Sequence, residues 1–258
     1  MNENIQFPHI EHRVYKNTFL QNTIVEVTYD KVSPKQLTGD FEDNKNLFFK
    51  RFFNIDQSQR DFIKDGISLA TADKSQSLTF TDCNCKAIVN RSVYNTFVES
   101  ILQHVFEISK FLQDVVRLRE VSSIAVRKIN MFPVIYDESR DLSIRTERQK
   151  VLANVFTSNF ISLHHEENVL PVKGAVAPFG VRKIKGPDGV VYTLKTGIIP
   201  PQDENKDVLF VVLDSEAELG MNTNTQDIES KALKLNDYLF DLYHWAVSKE
   251  IIDRMQQE

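Results

Sequence analysis

Two charged residues draw attention because each interrupts a strand-like apolar run. Glu26 lies in the β-branched segment 23–29, and Arg127 lies in the segment 121–132. An unpaired charge is costly to bury, so we favour a structural interpretation in which the two residues pair across neighbouring strands or face solvent. In the functional interpretation, Arg127 and Asn130 face an anionic or planar ligand, because a guanidinium binds anions through paired hydrogen bonds and stacks on planar groups.

A histidine near the end of the chain is the fourth candidate. His244 directly precedes the single tryptophan of the sequence, on a predicted C-terminal helix. Histidine serves as a base near neutral pH, but a core or capping role is the favoured interpretation here. The candidate ligand-binding residues are therefore Glu26, Arg127, Asn130 and His244, and no catalytic residue is assigned.

Acidic side chains recur at alternate positions after an apolar run. Asp214, Glu216 and Glu218 share one face if the strand continues, and aligned carboxylates bind Mg²⁺. Pairing with the basic residues of segment 182–185 is the favoured alternative. The run 164–167 supplies two histidines and two glutamates, but consecutive side chains point in different directions. We expect no metal, with Asp214 and Glu216 as weak candidates only.

Several signatures of chemistry are absent. The sequence has no phosphate-binding GxxxxGK[ST] or GxGxxG loop, no HExxH and no GxSxG. Cys83 and Cys85 are too close for a relaxed disulfide and lack the paired spacing of a zinc knuckle, so reduced thiols are favoured over a redox or metal pair. We expect no cofactor and a non-catalytic protein.

Composition narrows the class of protein. The 258 residues are 41% hydrophobic and 26% charged, as in a globular chain with a substantial core. A net charge of −5 disfavours general nucleic-acid binding, although a basic hairpin at 182–185 with Lys195 keeps that alternative open. No apolar run approaches the roughly 20 residues that span a bilayer, and residues 1–10 lack signal-peptide features. We expect a cytoplasmic protein that does not bind membranes.

The hydrophobic pattern predicts an α+β fold. Turn chemistry at 82–85 and 186–189 separates strand pairs, and an aromatic stripe at 48–53 is interpreted as core. Strands are predicted at 23–29, 77–81, 86–90, 121–132, 175–185, 190–199 and 208–213, and helices at 94–115, 150–160 and from Thr225, the predicted N-cap, nearly to Glu258. The expected architecture is two antiparallel β-sheets each covered by a long helix, as a pseudo-repeat. The halves are 1–134 and 150–258, closely packed or one domain, with a connector at 135–149.

Four short motifs occur in order along the chain: IVEV at 24–27, RKIN at 127–130, VLD at 212–214 and LYH at 242–244. In this order the chain resembles a sporadically distributed, uncharacterised family of bacterial and archaeal proteins of similar length. The resemblance implies a fold and a genetic context of mobile or phage-defence neighbourhoods. It implies no reaction.

The leading hypothesis is a non-catalytic binding or regulatory accessory protein, in a bacterial defence or toxin–antitoxin type system. Its expected partner is another protein, a second copy of the chain or a small ligand. The alternative is a metal-dependent hydrolase or nuclease that uses Asp214, Glu216 and Glu26. Nucleic-acid binding by the basic hairpin is a third, less favoured hypothesis.

Overall fold

The structure is a computed structural model, and it describes residues 5–15, 18–33, 59–63, 66–135, 142, 145–163, 180–199, 208–220 and 222–256. The predicted aromatic stripe at 48–53 and the run 164–167 lie outside these ranges. No helix within the described ranges is both long enough and apolar enough to cross a membrane.

The strands form one large sheet and one small one. The described strands are β1 Leu20–Thr28, β2 Gln59–Ile63, β3 Gly66–Ala70, β4 Gln76–Thr81, β5 Asn84–Asn90, β6 Glu120–Val121, β7 Ser123–Ile135, β8 Gly180–Lys185, β9 Val190–Ile199, β10 Val208–Leu219 and β11 Thr223–Asn224. Nine of them follow the order β2-β3-β4-β5-β1-β7-β10-β9-β8, and β6 pairs with β11.

The described helices are α1 Gln103–Lys110, α2 Arg145–Ala153, α3 Ser158–Leu163, α4 Ile228–Ala246 and α5 Lys249–Gln256. π-Helical turns at Val98–Leu102 and Phe111–Val115 extend α1 at both ends. The helix predicted at 94–115 is therefore present, with a shorter α-helical centre.

The chain divides into two compact units that are discontinuous in sequence. Unit 1 comprises Met1–Gln21, Lys128–Glu216 and Asp237–Glu258, and unit 2 comprises Asn22–Arg127 and Ala217–Asn236. These units differ from the expected sequential halves 1–134 and 150–258. Of the expected connector 135–149, Ile135 ends β7 and Arg145 begins α2.

Unit 2 is built from an antiparallel meander and the helix that covers it. Strand β4 pairs with β3 and β5, and β5 pairs with β1. The buried ring of Phe80 on β4 lies 4.5 Å from the ring of Phe111, at the end of α1. The hairpin predicted at 82–85 is present with a shorter turn, since β4 ends at Thr81 and β5 already begins at Asn84.

Unit 1 contains the hairpin predicted at 186–189. Strands β8 and β9 are antiparallel, and the turn residues Asp188 and Gly189 both have positive φ, of 55° and 78°. An aspartate and a glycine tolerate this conformation better than most residues, which explains why the local sequence selects the hairpin.

The predicted single C-terminal helix is interrupted. Helix α4 ends at Ala246 and α5 begins at Lys249, because Val247 forms a β-bridge with Phe156 and the Ser248 N–H donates to the Val155 carbonyl at 2.8 Å. The predicted N-cap, Thr225, is also wrong. A 3₁₀ turn at Thr225–Asp227 precedes α4, and Asn224 caps this turn, its side-chain oxygen accepting from the Gln226 N–H at 3.0 Å.

The α+β class is confirmed. The expected pair of equivalent sheets is not found, because the described strands lie in one nine-stranded and one two-stranded sheet. The pseudo-repeat stays a prediction.

Candidate functional site

The N-terminal residues 5–15, here called the N-terminal strap, lie against helix α4 within unit 1. The strap has no helix or strand of its own. Its one buried apolar residue, Phe7, contacts Trp245 of α4 and Tyr192 of β9, with ring centroids 5.0 and 5.2 Å away. At its start the Ile5 N–H donates to the Lys185 carbonyl at 3.1 Å. Aromatic contacts therefore fix one end of the strap.

Asp241 of α4 holds the middle of the strap. Its carboxylate is buried and accepts a hydrogen bond from the Ile10 N–H at 2.8 Å. Its other oxygen lies 3.2 Å from Nδ1 of His9, a side chain that is 77% exposed. A buried carboxylate needs such donors, so Asp241 and the strap backbone satisfy each other.

His12 of the strap contacts α4 one helical turn before Asp241, at Asp237. Its Nε2 is 3.2 Å from Oδ1 of Asp237, and its ring stacks on Phe240 with centroids 4.2 Å apart. The His12 side chain is still 41% exposed, and its partial burial lowers its pKa by more than the Asp237 carboxylate raises it. The stacked imidazole is therefore held preferentially in its neutral form.

Tyr15 and His244 form the closest polar contact of the site. The Tyr15 hydroxyl oxygen lies 2.6 Å from Nε2 of His244. Burial raises the pKa of Tyr15, while burial and then the charge of Arg13 lower the pKa of His244. Both shifts favour neutral groups, so the hydroxyl donates to an unprotonated ring nitrogen. A tyrosine with a raised pKa is a poor nucleophile, and the pair therefore fits a structural contact better than a catalytic one.

Lys128 supplies a charge that the fold accommodates poorly. It follows the buried positions Ile124 and Val126 at the two-residue period of β7, which continues through Asn130 and Phe132. Burial lowers the pKa of Lys128 to about 8, although the charge of Asp237 acts in the opposite direction. The same ammonium group contributes to the lowered pKa of His12. Lys128, Asp237 and His12 are thus one electrostatic group.

Arg127 and Asn130 do not form the joint pocket expected from sequence. A separation of three residues places their side chains on opposite faces of β7. Asn130 is buried with the core-facing residues, and Arg127 is half-buried. The pair therefore does not face a single ligand.

Glu26 has a structural partner in unit 2. Its carboxylate lies 2.8 Å from Nζ of Lys86, the residue opposite it on β5, and accepts a hydrogen bond from Asn84 at 3.2 Å. Both charged side chains remain about one-third exposed. This geometry fits a cross-strand ion pair rather than a ligand site.

Glu26→Gln is expected to cost no more than about 1 kcal/mol of unfolding free energy, because cross-strand ion pairs that remain partly exposed contribute little. Urea denaturation of the single variants and of the double variant with Lys86→Met measures the coupling. A coupling free energy well above this value would mean that the pair of Glu26 and Lys86 stabilises the fold more than its exposure indicates.

The weak metal candidates are not assembled into a centre. Asp214 is buried on β10 with its Oδ2 3.9 Å from Nζ of Lys195, and Glu216 is half-buried. The basic partner that the structure shows for Asp214 therefore comes from β9. Among the described residues, no group of three or more His, Cys, Asp and Glu side chains is arranged to hold a metal ion.

The two cysteines are free thiols. Cys83 is exposed, whereas Cys85 is buried with its Sγ 3.4 Å from the Tyr29 hydroxyl. Burial raises the pKa of the Cys85 thiol well above its ordinary range, which makes it unreactive.

Of the predicted candidates, His244 alone belongs to the group of polar residues where the strap meets α4. Sequence reasoning missed its partners His9, His12, Tyr15, Lys128, Asp237 and Asp241. One signal was available: the residues at 237, 240, 241 and 244 share one helix face by their spacing, and they combine acidic, aromatic and histidine side chains. No protein-family model and no curated protein matches the chain.

Proposed function

We propose that the protein is a non-catalytic binding or regulatory protein, and that Lys128 and the groups around it recognise an acidic group of a protein partner or small ligand. The observation that supports this most directly is the half-buried position of Lys128 in β7, where loss of solvent lowers the pKa of its ammonium group. An anion beside that group would offset its desolvation and favour its charged form.

The physical cost of Lys128 is the first supporting argument. A desolvated charge that is only partly compensated destabilises a fold, and an apolar residue of similar length avoids that cost. Residues that lower stability in this way occur preferentially at functional sites. Asp237 alone does not restore the ordinary pKa of Lys128.

The protonation states of the neighbouring groups argue against catalysis. An activated tyrosine needs a lowered pKa, and the pKa of Tyr15 is raised. The metal-dependent hydrolase or nuclease alternative lacks support, because Glu26 is paired with Lys86 and Asp214 has Lys195 within 3.9 Å.

The biological context is proposed from the family resemblance alone. We propose a cytoplasmic accessory component of a bacterial defence or toxin–antitoxin type system, with a second protein or a second copy of the chain as partner. Nucleic acid is the less favoured partner because the chain is acidic overall, with a net charge of −5.

Lys128→Met is expected to stabilise the free protein by about 1–2 kcal/mol at pH 7, because it removes a partly buried charge. The free energy of unfolding of the wild-type protein rises with pH between the native pKa of about 8 and the ordinary value of 10.5, because the folded state loses the proton of Lys128 first. The advantage of the variant should therefore shrink as the pH rises from 8 to 10.5. Chemical denaturation at pH 7, 9 and 10.5 measures this. The matched control is Lys183→Met, which removes an exposed lysine of the same unit.

A thermal-shift screen tests the function. The wild-type protein is screened with small dicarboxylates, nucleotides, short nucleic acids, an acidic peptide and divalent metals. A shift by an acidic compound that Lys128→Met abolishes and Lys183→Met retains supports the proposal. A flat response combined with a pulldown that recovers no partner overturns it. A Mg²⁺ or Mn²⁺ shift that Asp214→Ala abolishes would instead support the enzyme alternative.

A further inference from the structure

We propose that the N-terminal strap is released by acid: protonation of His12 and His244 detaches residues 5–15 from helix α4 and uncovers Phe240 and Trp245. This device differs from ligand recognition by Lys128, although the two are coupled, because the charge of Lys128 helps to lower the pKa of His12.

The strap is held mainly by side chains. Two histidines take part in these contacts. His12 of the strap contacts Asp237 and Phe240 of α4, and His244 of α4 contacts Tyr15 of the strap. The Ile10 N–H also bonds to the Asp241 carboxylate rather than to a strand or helix backbone. A change in the protonation of His12 and His244 therefore alters the contacts at the C-terminal end of the strap, at His12 and Tyr15.

The Tyr15 and His244 contact depends directly on the protonation state. Neutral His244 offers a lone pair at Nε2, which the Tyr15 hydroxyl fills as a donor. Protonated His244 carries a hydrogen on that nitrogen and can no longer accept, so the present hydrogen bond is lost and the hydroxyl must rotate to accept from the ring instead. The new charge also lies near Arg13 and His12, which both disfavour it, whereas Asp241 favours it. Protonation thus weakens the contact at the C-terminal end of the strap.

His12 reinforces this effect. Desolvation and the charges of Lys128 and His9 lower the pKa of His12, whereas Asp237 and Asp241 raise it. Desolvation is the largest of these influences, so the stacked position on Phe240 prefers the neutral ring. When both rings are charged, Lys128 opposes the charge of His12 and Arg13 opposes that of His244, while Asp241 favours both charges and Asp237 favours that of His12.

The sign of the pH effect follows from these shifts. Both histidines bind protons less readily when the strap is closed than when it is free, so proton uptake favours the free strap. Closure is fully favoured above the ordinary histidine pKa of 6.5 and is weakened as pH falls below it. The strap is therefore closed at neutral pH and opens in mild acid.

The single tryptophan provides the readout. Trp245 packs on Phe7 of the strap, so release exposes its indole and shifts its emission to longer wavelength. Hydrogen exchange at the Ile10 amide reports the same event, because that amide is protected by Asp241 only when the strap is closed. Both signals are followed from pH 7.5 to pH 5.5, where the β4 and β5 amides should stay protected.

We expect the protection of the Ile10 amide, corrected for intrinsic exchange, to fall severalfold over this range, together with the emission shift. The His12→Gln, His244→Gln double variant should show neither response, since glutamine does not titrate. The matched control is His104→Gln in unit 2, where the histidine contacts Gln76, and it should keep both responses. Unchanged Ile10 protection in the wild-type protein, or a full response in the double variant, would overturn the proposal. If the double variant does not fold, imidazole titrations in the wild-type protein decide instead: release must follow the titration of His12 and His244, and a midpoint unrelated to either rejects the mechanism.

Discussion

Gly66→Ala is expected to destabilise the protein by at least about 3 kcal/mol, because the added methyl group has no space. Gly66 lies opposite Thr81 where β3 pairs with β4. A Cβ at this position would overlap the carbonyl oxygen of Phe80 and lie 2.8 Å from both the Phe80 carbonyl carbon and the Thr81 Cα. These are backbone atoms, so the strands must separate to admit the methyl group. The free energy of unfolding in urea measures the loss.

Gly220→Ala is the matched control, since nothing lies within 4 Å of a Cβ added there. It should change the unfolding free energy by no more than about 0.5 kcal/mol in the destabilising direction. Equal effects of the two substitutions would mean that loss of glycine flexibility, and not the clash with β4, determines the outcome.

Acidification from pH 6.5 to 4 is expected to cost the wild-type protein about 3 kcal/mol of stability through His104 alone. This residue is 4% exposed on α1, with its Nε2 2.9 Å from Oε1 of Gln76. Burial lowers the pKa of His104 to about 4. A group with a lowered native pKa contributes stability above its unfolded pKa of 6.5 and loses it as pH falls toward the native value. One pKa unit corresponds to about 1.4 kcal/mol, which gives the expected loss.

Replacement of His104 by Gln should remove this part of the pH dependence, because glutamine keeps an amide donor and does not titrate. Urea denaturation at half-unit pH intervals compares the slopes of the two proteins. Ser109→Ala on the same helix removes the hydrogen bond to the Thr225 carbonyl and should lower stability by about 1 kcal/mol equally at every pH. Parallel curves for wild type and His104→Gln would show that other groups cause the acid sensitivity.

Local sequence patterns predicted the elements that depend on neighbouring residues. The helix around α1 follows from apolar residues at three- and four-residue steps, and the β8–β9 hairpin follows from the Gly-Pro-Asp-Gly turn. The central apolar run 208–213 is part of β10, which extends further, to Leu219.

Features set by distant contacts could not be predicted. Thr225 has the chemistry of an N-cap, but its hydroxyl donates to the Leu118 and Arg119 carbonyls, and Asn224 takes the capping position. Likewise, the local sequence around Val247 does not predict the end of α4, because the β-bridge that ends the helix comes from the distant residue Phe156. Propensity indicated helix at both places, and tertiary hydrogen bonds determined the boundary.

The candidate site has the same character. His244 was identified as a candidate, but its partner Tyr15 lies 229 residues earlier in the chain. Lys128 was noticed only as part of a short motif, since its meaning depends on burial beside Asp237. Single residues with chemical potential were visible in the sequence, whereas their grouping needed the fold.

The division of the chain into interleaved units has a consequence for biosynthesis. Unit 2 includes Ala217–Asn236 and unit 1 includes Asp237–Glu258, so each unit combines segments that are far apart in sequence. In multidomain proteins an N-terminal domain usually folds before the rest of the chain emerges. Neither unit of this protein can complete its fold in that way from residues 1–216 alone. We expect the meander of β3, β4 and β5 to reach its native packing only after residues Ala217–Asn236 have been synthesised, so the folding of unit 2 depends on contacts that are distant in sequence.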